Sequence, residues 1–267
     1  MAQGAPVAAL LALLLVAAQI AYPLTDGSAR DRVTTLVVVL LAGTALAHAV
    51  ASLGAAYALR TLAILSGIGL LSELIGTATG YPFGCYAYAV GKLEPALADV
   101  PLAVPLAWTG GIYPVWVVAG LLAGTSRARI ALTAVGAVGW DLFLDPQMVT
   151  DGQWSWCVTG AGLPGLPAIP LTNYLGWFLV ALLMGALMTA SEHRARQRRE
   201  TEGAGPAVPV AVFLWTWLGS ALAHLAFLGL PWSAGYGLLG MGVLGVPLLV
   251  RGVRGIARDR AARRLAS

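Results

Sequence analysis

Long stretches of the chain stay apolar for about twenty residues, with no polar residue recurring at every second position. Roughly 20 predominantly apolar residues span a bilayer as a helix. In lipid only helices and closed barrels satisfy their own backbone, and runs this long without alternation are helical. The pattern predicts eight spans, at about 6–24, 33–59, 61–78, 102–124, 130–146, 171–190, 208–230 and 232–250. Arg60 separates the second span from the third, and Pro231-Trp232 marks a tight turn between the last two. Gly67-Ile68-Gly69 and Gly136-Ala137-Val138-Gly139 suit close helix approach in lipid. No internal repeat is evident. The Arg- and Glu-rich stretch 191–207 reads as a solvated cytoplasmic linker between a six-helix core and a two-helix addition. The chain therefore reads as one all-α transmembrane bundle over 1–267, with a core at 60–190, two further helices at 208–250 and a basic tail at 251–267.

Two connections are long. Residues 79–101 and 147–170 are rich in Gly, Pro and aromatics and fall on the same side of the bundle. Loops beyond about a dozen residues in a compact domain are usually functional, and these two are expected to fold over the bundle mouth. Composition agrees with the spans: 58% of residues are hydrophobic and 10% charged, against about 25% charged in soluble domains. Mean hydropathy is +0.79.

The net charge of +4 does not point to nucleic acid, because the basic residues flank apolar runs where they orient helices and meet anionic headgroups. One side carries Arg60, Arg127, Arg129, Arg194, Arg196, Arg198 and Arg199, with Arg251, Arg254, Arg258, Arg260, Arg263 and Arg264 of the tail. The other carries only Arg30, Arg32 and Lys92. This bias predicts a multi-pass cell-membrane protein with both termini in the cytoplasm. The start, Met1-Ala2-Gln3-Gly4, lacks the positive region of a secretory signal, so the first run is expected to remain as a helix. Cys85 and Cys157 show no metal-ligand spacing. Both lie in the outer loops and could pair, but the default expectation is two free thiols.

Three acids lie inside or at the edge of the spans: Glu73, Asp141 and Asp145. An intramembrane acid is costly and by default marks function, although it can also snorkel or serve a structural partner. Asp141 and Asp145 are four apart and share a helix face. Two carboxyls that close in a low dielectric do not both ionise readily, so the pair is expected to hold a proton and act as a general acid. Pro146 disfavours helical geometry at Asp145, which predicts that the fifth helix ends there.

Aromatic residues crowd the same end. Tyr81, Phe83, Tyr86 and Tyr88 lie in the first long loop, Trp154 and Trp156 in the second, and Trp108, Tyr113, Trp140 and Trp177 in the helices. Singly, each fits an interfacial belt; around buried acids, their faces can stabilise a cation. Asn173 adds an amide able to orient water. His48 and His224 stand alone in apolar runs and read as structural. No Gly-rich phosphate loop and no His/Cys ligand cluster is present, and the outer side has few cations to grip a diphosphate. The expected substrate is uncharged and lipid-soluble, with no cofactor and no metal.

At these residues the sequence resembles the carotenoid hydratase family, the carotenoid 1,2-hydratases and bisanhydrobacterioruberin hydratases. The matching blocks are Glu73-Leu-Ile-Gly76, Thr79-Gly80-Tyr-Pro82-Phe83-Gly84-Cys-Tyr86-Ala-Tyr88, Pro101-x-x-x-Pro105-Leu-Ala-Trp108 and Tyr113-Pro114. They continue with Trp140-Asp141-Leu-Phe-Leu-Asp145-Pro146-Gln-Met148-Val149, Gly152-x-Trp154-x-Trp156 and Ile169-Pro170-Leu-Thr-Asn173-Tyr-Leu-Gly176-Trp177. The resemblance covers about 60–190, and its most specific block begins at Trp140; the stretch 160–167 departs from the family pattern. It implies addition of water across the terminal double bond of an acyclic carotenoid. Asp141 or Asp145 would be the acid, and Glu73 with Asn173 would position water. The implied partners are the acyclic carotenoid, water, membrane lipid and other enzymes of carotenoid synthesis.

Two rival readings remain. A membrane carotenoid cyclase would use the same protonation without adding water. A proton-coupled transporter or carotenoid-binding scaffold would need polar residues through both membrane halves, whereas the inner halves read as almost wholly apolar. A prenyltransferase would need Mg²⁺ and cations around a diphosphate, which the outer side lacks.

Overall fold

The computed structural model describes residues 5–158, 162–198 and 203–266, with side chains described as far as Arg254. Residues 1–4, residues 159–161 of the departing stretch, residues 199–202 of the charged linker and the last four arginines of the tail lie outside the described residues and side chains. The helices are α1 (Ala5–Ala21, extended by a 3-10 turn at Tyr22–Leu24), α2 (Gly27–Leu53), α3 (Ala55–Thr79) and α4 (Ala103–Leu122). They continue with α5 (Ser126–Thr150), α6 (Leu171–Gln197), α7 (Ala207–Ala226) and α8 (Pro231–Ala266).

The molecule is an all-α polytopic bundle. Seven helices among the described residues are long and apolar enough to cross a membrane. The exception is α5, 25 residues long, whose Arg127, Arg129, Asp141 and Asp145 lower its hydropathy. Its polar side chains are tolerated because α4, α6 and α8 pack around it.

Several boundaries differ from the sequence reading. The second and third helices part at Gly54, not Arg60, because Gly54 takes φ +89°, a conformation open to a residue without Cβ. Arg60 lies inside α3 and donates from Nε to Ser191 Oγ at 3.2 Å. The sixth helix runs to Gln197, so the first part of the expected linker is helical. The last two helices are no detached addition: α8 packs along α5 and α7, and α7 against α4. Gly139 and Gly240 permit the α5–α8 contact, since a Cβ on Gly139 would sit 2.6 Å from the carbonyl carbon of Gly240.

The largest departure is at Pro146. The fifth helix does not stop at Asp145; it continues to Thr150 with Pro146 inside it. Proline has no N–H for the carbonyl four residues back, which here is Leu142. Ser233 of α8 fills the gap, donating from Oγ to the Leu142 carbonyl at 2.7 Å. His224 of α7 bonds Ser233 Oγ at 2.8 Å and Gln147 Oε1 at 3.0 Å. Tertiary donors thus override the local proline rule.

The two long loops form a roof. Strand β1 (Tyr86–Tyr88) of the first pairs antiparallel with β4 (Trp154–Trp156) of the second, with Tyr86 opposite Trp156 and Tyr88 opposite Trp154. Two small hairpins flank this ribbon: β2 (Ala96–Leu97) with β3 (Val100–Pro101), and β5 (Gly162–Leu163) with β6 (Leu166–Pro170). Cys85 and Cys157, expected as free thiols, are joined in a disulfide next to the ribbon, and the Cys157 N–H donates to the Cys85 carbonyl at 2.7 Å. Asp151 pins the roof to the bundle: it pairs with Arg30 at 2.8 Å and accepts from the Tyr22 hydroxyl, and its carbonyl accepts from Lys92 Nζ.

Candidate functional site

Beneath the roof lies a cavity of about 180 Å³ walled by parts of all eight helices and the two loops. Glu73, Asp145 and Asn173 line it, with Phe83, Tyr86, Tyr88, Trp108, Trp140, Trp154, Trp156 and Trp177. Asp141 is wholly buried and stands outside that lining. Of the two aspartates, Asp145 is therefore the one that faces the open space.

Each carboxyl is held by neutral donors. Glu73 sits in the last two turns of α3, where the ribbon strand β1 passes over it. Alternation along a strand places Tyr86 and Tyr88 on one face, and both hydroxyls donate to Glu73 Oε2, at 2.5 and 2.7 Å. Trp108 of α4 donates from Nε1 to Oε1 at 3.1 Å. Burial first, and then the adjacent Glu73 carboxylate, push both phenols well above their ordinary range. Both tyrosines therefore remain hydrogen-bond donors at any physiological pH.

The aspartates share one helix face, as their spacing predicts, and Asn173 opens α6 opposite them. Its Nδ2 donates to Asp141 Oδ2 at 2.8 Å and also to Asp145 Oδ2. Asn173 thus engages the carboxyl pair directly. Trp154 of β4 donates to Asp145 Oδ1 at 3.2 Å. The shared Asn173 amide holds the two carboxyls side by side, and the buried Asp141 Oδ1 has no hydrogen-bond partner. Among the described residues, none of the ion pairs involves these three acids, and no three His, Cys, Asp or Glu side chains converge as a metal site.

Aromatic rings complete the walls. Trp108 and Trp177 stack at 3.8 Å between centroids, and Trp140 meets Trp177 edge-on at 5.7 Å. On the ribbon, Tyr86 contacts Trp156 at 4.9 Å and Tyr88 contacts Trp154 at 5.6 Å. Two expected members do not line the cavity. Tyr81 is 77% exposed at a loop tip. Tyr113 lies mid-way along α4, where its hydroxyl meets His48 Nδ1 at 2.9 Å. His48 also reaches the Gly205 carbonyl, so both lone histidines have structural partners.

Sequence reasoning overlooked a fourth buried acid. Glu192 lies on the extended part of α6 and is 7% exposed. Arg129 donates to both its oxygens at 3.1 and 3.0 Å, Arg196 pairs at 2.8 Å and Trp116 Nε1 donates at 2.9 Å. Arg129 also lies over the Trp116 ring at 3.5 Å. The inner half is therefore not wholly apolar. A second cavity beside Glu192, Tyr57 and Tyr113 shares no lining residue with the outer one. An acid two residues beyond the last apolar run, followed by Arg at its i+4 position, was the available signal.

Comparison with known proteins gives a consistent result. No solved structure matches the chain. The bisanhydrobacterioruberin hydratase of Haloarcula japonica is 28% identical over 176 residues, which are 60% of this chain and 58% of that protein. The chain thus matches less than two thirds of that relative's length. The carotenoid biosynthesis protein family matches residues 33–244, from α2 into α8. That span is wider than the 60–190 resemblance and takes in the helices that support Pro146. By this match, which covers the site and most of the bundle around it, the chain belongs to the carotenoid biosynthesis protein family.

Proposed function

We propose that this protein is a membrane carotenoid hydratase that adds water across the terminal double bond of an acyclic carotenoid. The observation that carries the reading is a set of buried carboxyls, held by neutral donors alone, at one end of an aromatic cavity in a chain of this family. Two buried carboxyls bridged by one amide, with no cation beside them among the described residues, do not both ionise readily, so the Asp141–Asp145 pair holds a proton to give. Asp145, facing the cavity, delivers it to the less substituted carbon of the alkene. The pi electrons form the new C–H bond, leaving a tertiary cation on the other carbon. The faces of Trp108, Trp140 and Trp177 stabilise that charge.

Water then attacks the cation, and its surplus proton returns to the carboxylate that Asp145 has become. Atoms balance as alkene plus water to tertiary alcohol, and the enzyme ends as it began. Glu73, fixed by Tyr86, Tyr88 and Trp108, is the acceptor that orients the water. Asn173 is a positioning residue that keeps the aspartates in register. The distribution of basic residues supports a multi-pass cell-membrane protein with both termini cytoplasmic; in that orientation the disulfide-bonded roof is on the outer side.

The test is expression in a host that accumulates lycopene or another acyclic carotenoid, with pigments resolved by chromatography and mass spectrometry. A product heavier by one water is expected. A product of unchanged mass but altered retention would replace this reading with the cyclase. Unaltered pigment across several acyclic substrates would end it.

A further inference from the structure

The outer cavity does not stop at the carboxyls. It continues sideways to Thr34, Val37 and Val38 of α2, to Gln19 of α1 and Pro23 of the turn that follows, and to Trp215, Thr216, Gly219 and Ser220 of α7. Glu73, Asp145 and Asn173 are buried, whereas Val37, Val38, Trp215, Thr216 and Ser220 are only half-buried. This arm is one of the half-buried walls of the cavity, as are Ala103, Val104 and Ala107 of α4. Helix α7 packs on α4 and α8 and meets α1 and α2 only lightly, so this arm ends at a loosely packed seam of the bundle. A polar bridge crosses that seam: Trp215 Nε1 donates to Gln19 Oε1 at 2.8 Å.

The seam lies between helices that are themselves apolar spans, so it opens onto acyl chains rather than water. Gln19 and the Trp215 indole satisfy each other. The wall between the acids and the lipid thus has its indole N–H already paired. It offers a broad aromatic face and methyl-rich side chains, the surface that a rod-like unsaturated hydrocarbon fits. A carotenoid is also far longer than the outer half of one helix bundle, so a molecule with its end at Asp145 must leave through a side wall.

We infer that the polyene chain of the substrate runs from the carboxyl site through this arm, between α2 and α7, into the lipid beside the Gln19–Trp215 bond. The inference takes the identity of the reacting end from the hydratase reading. Its own content is the binding site for the chain.

The test uses the full-length protein purified in detergent from a lycopene-accumulating host, with retained pigment measured by absorbance per protein. The wild type is expected to retain pigment, as is Asp145→Asn, which disables the chemistry alone. Ser220→Trp and Val38→Trp fill the arm from opposite walls and should each reduce retention at least tenfold. Leu222→Trp, whose side chain is 61% exposed on α7, should leave it unchanged. A gentler variant guards against misfolding: the thiol of Ser220→Cys should react at least tenfold more slowly with a maleimide when pigment is bound, while that of Leu222→Cys should not change. Equal retention by folded Ser220→Trp and Val38→Trp, equal labelling rates, or no pigment on the wild type would each overturn the inference. Pigment held at this seam but never hydrated would uphold the arm and remove the hydratase reading.

Discussion

Two buried carboxyl sites stand at opposite ends of the bundle, and their surroundings differ. Asn173 and Glu192 are both on α6, nineteen residues apart, about 28 Å at 1.5 Å per residue. At the inner end Glu192 meets two guanidinium groups and an indole N–H. At the outer end Glu73, Asp141 and Asp145 meet only phenol, indole and amide donors. A buried charge needs compensation. The inner acid has it in full, and with two cations in place it has no reason to exchange a proton. The outer acids are satisfied as hydrogen-bond acceptors but have no cation beside them among the described residues. On the proposed reading, structure belongs to one end and chemistry to the other.

The sharpest way to break that contrast is Asp145→Asn. It should lower product formation by about 10²–10⁴-fold, the usual contribution of a general acid, with membrane content unchanged on immunoblots. Full activity would shift the role to Asp141. At the other end, Glu192→Gln leaves Arg129 without its carboxylate and should cost about 3 kcal/mol of stability. That loss would be read as a lower unfolding temperature in detergent, while turnover per folded molecule stays at the wild-type level. A tenfold fall in that turnover would erase the division of labour between the two ends.

Smaller effects sharpen the outer site. Tyr86→Phe and Tyr88→Phe each remove one hydrogen bond to Glu73, worth about 1.5–3 kcal/mol when the acceptor is charged. Each should lower turnover about tenfold or more, with substrate retention unaltered. Ser233→Ala leaves the Leu142 carbonyl unpaired beside Pro146. It should lower stability by about 1–2 kcal/mol and turnover a few-fold, measured by thermal unfolding and by product yield.

Much of this was legible in the sequence, for physical reasons. Lipid forces long apolar runs, so the number and order of the helices were visible. The spacing of Asp141 and Asp145 fixed their shared face, and the aromatic content of the two loops marked the end where the buried carboxyls gather. What escaped notice depends on contacts between distant segments. The reach of Tyr86 and Tyr88 to Glu73 follows from the register of a two-stranded ribbon whose strands are some 70 residues apart. The disulfide follows from the same pairing. Continuation of α5 through Pro146 needs a donor from Ser233, 91 positions away from Leu142. The end of α6 was misjudged because Glu192 and its arginines resemble a solvated linker until they are seen folded against one another. Tyr113 was assigned to the wrong level for a related reason: its motif marks the helix, not the face.

The hydrogen bond from Ser233 to Leu142 also bears on how the protein is made. The helix that carries both aspartates emerges from the ribosome well before the serine that completes it. A chain that has inserted only its first six helices holds Asp141 and Asp145 on a segment with an unpaired carbonyl at its proline. Biosynthetic order and assembly order therefore diverge, and the helix that carries the aspartate pair takes its final form only after α8 has entered the membrane.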